Sequence, residues 1–174
     1  MVDIVGTHRL TEVREGDTKF ERRQDEIERI RQAIKSVPER VFVESESGDE
    51  ATEFDRAVGQ GLSDYLIEGT EETELWAEEG FGHSVDLYHP DKRIAIELEK
   101  SEKKYVWKDL AKFGRGAHSE TDGRSTIEVG CLVVPDYYSG RAVFSGTEKM
   151  LRFMEPMLDL DEIVIIGFNK PTSE

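Results

Sequence analysis

With 174 residues, 37% of them hydrophobic and 35% charged, the chain holds enough apolar surface for one domain with a real core and too little for two. No run approaches the roughly 18 to 20 apolar residues of a membrane helix, and Met1 to Thr18 lacks the apolar stretch of a signal peptide, so a soluble, cytoplasmic protein is expected. The net charge of −15 weighs against a broad phosphate-binding surface, and the single cysteine, Cys131, excludes an intrachain disulfide or a thiolate zinc cluster and reads as a buried, inert thiol.

Arg22 to Ile34 has the spacing of a helix, with Ile27, Ile30 and Ile34 on one face and Pro38 as its stop. Val41 to Val43 is a short apolar run that reads as a strand. Ser47-Gly-Asp-Glu50 has the form of a capping box, and the helix after it would bury Phe54, Val58, Leu62 and Leu66. From Glu74 the period changes to two, giving extended segments at Leu75 to Glu78, Ser84 to Tyr88 and Arg93 to Glu99, with His89-Pro-Asp-Lys92 as the turn between the last two. Helical spacing returns at Lys103 to Phe113, where Val106, Leu110 and Phe113 form the apolar edge, and a polar, glycine-containing loop follows from Gly114 to Arg124. Ile127 to Val134 is nearly all apolar, as expected of a strand buried on both faces. A helix around Thr147 to Leu158 and a strand at Ile163 to Phe168 complete an α/β layered domain. No internal repeat is visible.

Alternation along Arg93-Ile-Ala-Ile-Glu-Leu-Glu99 turns Ile94, Ile96 and Leu98 to a core and Ala95, Glu97 and Glu99 the other way. The preceding strand would turn Val85 and Leu87 to the same core and Asp86 away from it. If Tyr88 pairs with Arg93 across the even-numbered turn, Asp86 lies opposite Ala95 and diagonal to Glu97. Three carboxylates then share one patch. Spaced roughly 6 to 7 Å apart they repel by about 2.5 to 3 kcal/mol per pair at an effective dielectric of 20, against well under 1 in water. A wet sheet face tolerates that; a cleft raises at least one pKa unless a cation joins the acids, and hard oxygen ligands suit Mg²⁺ or Mn²⁺.

Charge is distributed unevenly. Residues 1–80 carry 10 basic and 22 acidic side chains, whereas Lys100 to Arg115 holds Lys100, Lys103, Lys104, Lys108, Lys112 and Arg115 against only Glu102 and Asp109. Lys104, Lys108, Lys112 and Arg115 fall on one helix face, a stack that invites an anion, either phosphate or the acidic patch itself. Trp107 reads as core packing or as a ring resting on the domain surface. The overall acidity is consistent with ordinary solubility or with a halophilic, salt-rich cytoplasm.

The run Ser84-Val-Asp-Leu-Tyr88, then Arg93-Ile-Ala-Ile-Glu-Leu-Glu-Lys100, followed by a helix and a buried strand, resembles the core of the PD-(D/E)XK nucleases. Its E-x-E ending resembles the BamHI- and BglII-type restriction endonucleases within that superfamily. The resemblance covers roughly residues 50–134. It implies a restriction endonuclease-like fold, with a central mixed sheet (a three-strand meander plus a crossover strand) flanked by helices. Residues 1–48 would be an N-terminal helix and strand extension, 49–134 the nuclease core, and 135–174 a C-terminal helix and strand.

By position, the resemblance makes Asp86 and Glu97 metal-binding acids and places Glu99 where the superfamily usually has lysine, to orient or deprotonate the attacking water. Glu53, with Glu79 as rival, would be a further acid from the first core helix. The proline of the superfamily motif is absent, Val85 standing before Asp86, and alternation turns Lys100 away from the site, so Lys108 or Lys112 would supply the cation. The implied activity is Mg²⁺- or Mn²⁺-assisted hydrolysis of DNA phosphodiester bonds, with Lys100, Lys104, Lys108, Lys112 and Arg115 meeting the DNA and a homodimer needed to cut both strands. The competing expectations are a non-catalytic nucleic-acid- or protein-binding module on the same fold, and an acidic interaction protein that holds a basic partner and no metal.

Overall fold

The computed structural model describes residues 2–14, 23–43, 49–78, 81–100, 105–121 and 123–170. Strand β1 (Asp3–Arg9) runs straight into the short helix α1 (Leu10–Arg14). Helix α2 (Gln24–Lys35) buries Ile27, Ile30, Ala33 and Ile34, the isoleucine stripe that its sequence spacing predicts. Residues 41–43 are not a strand. They belong to a helical turn, α3 (Arg40–Val43), in which the Val41 amide donates to the Pro38 carbonyl at 3.0 Å. Three apolar residues carry no period, and the proline that ends α2 opens this turn. Helix α4 (Asp49–Gly61) follows and buries Phe54 and Val58, with Leu62 just beyond it; Ser47 of the expected capping box lies outside the described residues.

Next come β2 (Leu66–Ile67), β3 (Glu74–Glu78), β4 (Phe81–Ser84), β5 (Leu87–His89) and β6 (Ile94–Leu98). After them lie helix α5 (Val106–Ala117), the small hairpin of β7 (Glu120–Thr121) and β8 (Arg124–Ser125), and the buried strand β9 (Val129–Pro135). A second small hairpin, β10 (Tyr137–Tyr138) with β11 (Arg141–Ala142), leads to helix α6 (Phe144–Met154) and the last strand, β12 (Glu162–Asn169).

Six strands form one mixed sheet in the order β1-β12-β9-β6-β5-β2. β6, β9 and β12 are mutually parallel, joined by crossovers through α5 and α6, while β1, β5 and β2 pair antiparallel at the two ends. The meander therefore consists of β2, β5 and β6. The extended segment at Glu74–Glu78 pairs with β4 as a separate hairpin instead of entering the sheet. The N-terminal strand β1, whose Asp-Ile-Val-Gly-Thr-His-Arg sequence has no clean alternation, was not foreseen.

Both faces of the sheet are covered. Ile94, Ile96, Leu98, Cys131, Val133, Val164 and Ile166 pack with the helices α2 and α4, while Ala95, Leu132, Val134, Ile163 and Ile165 pack with α1, α5 and α6. Cys131 lies at the bottom of the first layer, and burial pushes its thiol up to about 12, the inert state expected of it. Small residues let the helices come close on the second face. A Cβ at Gly130 would stand 2.5 Å from the Phe113 ring, and one at Gly167 would stand 2.5 Å from the Phe144 ring. Gly130 is the register partner of Ala95 on β6, so Phe113 of α5 rests over a depression two residues wide. At the start of β12, one register step from Gly130, Glu162 is fully buried. It accepts hydrogen bonds from the Thr11 amide (3.1 Å) and hydroxyl (2.6 Å), which tie α1 to the start of β12. No helix among the described residues is long and apolar enough to cross a membrane.

Filling the depression should lift α5. Gly130→Ala is expected to destabilise the fold by about 1–3 kcal/mol in urea denaturation. Combined with Phe113→Leu, it should cost less than the two single losses added together, because the smaller side chain makes room for the new methyl. Strict additivity would show that the ring does not rest on Gly130.

Candidate active site

Strand β6 is buried along its whole length, so its charged residue, Glu97, lies inside the protein at 3% exposure. It shares the α5 face with Ala95, as alternation predicts, but that face is a second core layer and not a wet surface. A carboxylate there requires a partner. Lys112 supplies it: its Nζ donates to Glu97 Oε1 at 2.7 Å, with the two side chains 9% and 4% exposed. Lys112 reaches down because it borders Val106, Leu110 and Phe113, the buried stripe that seats α5 on the sheet. The lysine stripe is thus not uniform. Lys108 and Arg115 are exposed and Arg115 donates to the Ser119 hydroxyl at 3.1 Å, whereas Lys112 points inward. Lys104 lies outside the described residues.

Asp86 stands beside this pair. Leu87 pairs with Ile96 and Tyr88 with Ala95, a register two residues removed from the one expected. An even shift leaves every face unchanged and, continued by one residue, sets Asp86 opposite Glu97 instead of diagonal to it. The strand breaks at this point, and the Asp86 Oδ2 accepts the Leu98 amide at 2.6 Å. Val85 packs in the α5 layer and Leu87 in the α4 layer, so they do not share a face as strict alternation would have them. Glu99, just past β6, is half-buried on the same side as Glu97.

Two acids that were not singled out complete the surroundings. Asp109 lies on the buried stripe of α5, at 5% exposure, with Oδ1 3.8 Å from Lys112 Nζ. Its sequence signal was available: a carboxylate three residues after Val106 and one before Leu110 sits among the apolar positions of its own helix. On the opposite face of the sheet, Asp55 of α4 binds Lys100, whose Nζ is 2.6 Å from Oδ1. Lys100 therefore turns away from Glu97, as alternation along the strand requires. Asp55 and Asp86 both line a cavity of about 540 Å³ with Gly59, Ile67, Leu87 and Leu98. Glu53 is elsewhere, lining a different cavity with Ser36, Arg40 and Arg56, and Glu79 lies outside the described residues.

The electrostatics follow from this crowding. Burial, then Asp86, push the Glu97 carboxyl up to about 9, against the pull of Lys112. Burial, reinforced by Glu99 and Asp86 and opposed by Lys112, moves Asp109 up to about 7. Asp55 rises to about 6 through burial, against Lys100 and with Asp86. Burial would lower Lys112, but Glu97, Asp109 and Asp86 outweigh it and hold its pKa above the ordinary lysine value. His83 of β4 is lowered by burial and by the nearby ammonium groups of Lys112 and Lys108.

Several carboxylates thus strain against one another with too little positive charge between them. Among the described residues no three acidic or histidine side chains converge as a ready-made cation cage. Asp86 and Glu97 are the two carboxylates here whose chemistry suits Mg²⁺, which takes one or two carboxylates and completes its octahedron with water and substrate phosphate.

A family model described as "Putative halobacteria restriction endonuclease" matches residues 16–168. No curated protein matches the chain. Among solved structures, the restriction endonuclease BglII complexed with a DNA 16-mer is similar in fold, with a TM-score of 0.64 at 10% identity over 100% of this chain and 78% of that one. With a family match over most of its length and a restriction endonuclease fold, the chain belongs to the halobacteria restriction endonuclease family.

Proposed function

We propose that the protein is a DNA endonuclease that hydrolyses phosphodiester bonds with Mg²⁺ or Mn²⁺ held by Asp86 and Glu97. The observation that carries this reading is Glu97, buried on β6 with the Lys112 ammonium drawn to it, together with Asp86, half-buried just ahead of β5 and near enough to push the Glu97 carboxyl up. The cation would lower the pKa of a bound water and polarise the scissile phosphate. Glu99, half-buried at the mouth of the pair, orients the attacking water and accepts its proton. Lys112 offsets the charge that grows on the phosphate oxygens, in a site dry enough for one ammonium to matter. Lys108 and Arg115, exposed along α5, hold the flanking phosphates, and Lys104 is a further phosphate contact by its place in the sequence. Lys100 acts from the other face by neutralising Asp55. Two copies of the chain would be needed to cut both strands, which supports a homodimer on DNA. The family's halobacterial name and the net charge of −15 together support a salt-rich cytoplasm as the working environment.

A non-catalytic module is the second reading, favoured by the fact that Lys112 satisfies Glu97 without any metal. Plasmid cleavage in Mg²⁺ separates the two. Wild type is expected to nick or linearise DNA, Glu97→Gln to abolish cleavage, and Lys112→Met to slow it by about a hundredfold or more. Cleavage unchanged by Glu97→Gln, or absent from the wild type, would sink the catalytic reading.

Stability should move the opposite way. Glu97 rises from an ordinary 4.5 to about 9 on folding, so the folded state keeps a proton that the unfolded chain releases. The contribution is fully present below about pH 4.5 and is lost as pH climbs toward about 9, with Asp109 and Asp55 adding to the same slope over narrower ranges. Glu97→Gln, a neutral isostere, is expected to flatten the fall in melting temperature between about pH 6 and pH 9. An identical pH slope in the variant would show that Glu97 does not titrate with folding.

A further inference from the structure

Lys112 lies between two carboxylates, hydrogen-bonded to one and within ion-pair reach of the other. Its Nζ is 2.7 Å from Glu97 Oε1 and 3.8 Å from Asp109 Oδ1, and both acids are buried. Glu97 belongs to the sheet, whereas Asp109 precedes Lys112 by three residues on α5 and shares its helix face. An exchange between them therefore needs only rotation about the lysine's own side-chain bonds, with no movement of helix or strand. The geometry points to Lys112 as a resident counter-ion of Glu97 that an incoming divalent cation displaces onto Asp109, making Asp109 a positioning residue that governs metal binding through Lys112.

This rests on the reading of Glu97 as a metal-binding acid. A dication and an ammonium cannot both lie against one carboxylate oxygen in a dry layer, because their repulsion there is scarcely screened. Nor could Lys112 leave without a partner, since an unpaired buried ammonium is strongly disfavoured. Asp109 answers that need. It is the buried acid beside the lysine on its own helix, on a stripe that also buries Val106, Leu110 and Phe113. The exchange keeps the ammonium inside the site, and it explains why a carboxylate stands among the apolar positions of α5. Without metal, the lysine keeps Glu97 compensated; with metal, the same charge is held back rather than lost.

Calorimetric titration with Mn²⁺, without DNA, tests this on the folded full chain, each variant first checked by circular dichroism. Lys112→Met should bind Mn²⁺ about tenfold more tightly than wild type and Asp109→Asn about tenfold more weakly. The deciding comparison is the double variant. If Asp109 acts through Lys112, Asp109→Asn should change affinity by less than about twofold once Lys112 is Met. An equal loss in both backgrounds would mean that Asp109 attracts the cation directly, and would overturn the exchange. So would equal affinities for wild type and Lys112→Met. Lys112→Gln replaces Lys112→Met if the latter fails to fold, with the same expectation. Should wild type bind and Glu97→Gln not bind, while Lys112→Met matches wild type, the metal site stands and only the exchange falls. Binding by none of the proteins would overturn the metal site and the exchange with it.

Discussion

A carboxylate in the middle of a sheet covered on both faces is the constraint around which this molecule is arranged. β6 has to be apolar to lie between α4 and α5, yet its fourth residue is Glu97. Left alone there, an ionised acid would unfold the strand or take up a proton. Lys112 answers the charge, α5 must come close enough for Lys112 to reach, and the small pair of Ala95 and Gly130 lets Phe113 seat α5 at that distance. One buried charge thus dictates residues on two strands and one helix. Breaking such a pair from one side leaves the other charge stranded, so Glu97→Gln reports on Lys112 as well as on Glu97.

Parity carried most of what could be read in advance. A two-residue slip of register between β5 and β6 leaves faces intact, so Ala95 and Glu97 share a side and Lys100 turns from it whichever register holds. What parity cannot tell is whether the far side of a strand meets water or another layer. That depends on α5 and α6 folding back, a matter of chain connection and not of local pattern. The same gap explains the acids that were passed over. Asp109 reads in the sequence as one charge against the lysines, although its place on the apolar stripe of α5 marks it as buried. On α4, Glu53 and Asp55 are both acids on one helix, and only the packing of that helix shows that it is Asp55 that lies on the Asp86 side. The turn at Arg40–Val43 and the strand Asp3–Arg9 escaped for a simpler reason: neither has a period long enough to declare itself.

The likeness to BglII at 10% identity has a physical side. It is a likeness of fold alone; in this chain the crossover from β6 through α5 to β9 holds Glu97 and Lys112 in fixed relation because the strand is buried and the helix sits close. Those conditions are met by volume and polarity at a handful of positions, and the rest of the surface is free to vary. Here it has become strongly acidic, with basic side chains concentrated around α5, so attraction for a polyanion is local while the molecule as a whole repels it.

The pairing of β1 with β12 bears on how such a molecule is made. Asp3 lies beside Asn169, and almost the entire described chain separates them. The parallel strands β9 and β12, which carry the middle of the sheet, likewise meet only across a helical crossover. During synthesis β1 is made well before β12, its hydrogen-bonding partner in the sheet. Contacts of such long separation make for slow folding. Thr11 and Glu162, buried against each other at the join, are a contact that can form only once β12 has been made, some 150 residues after α1.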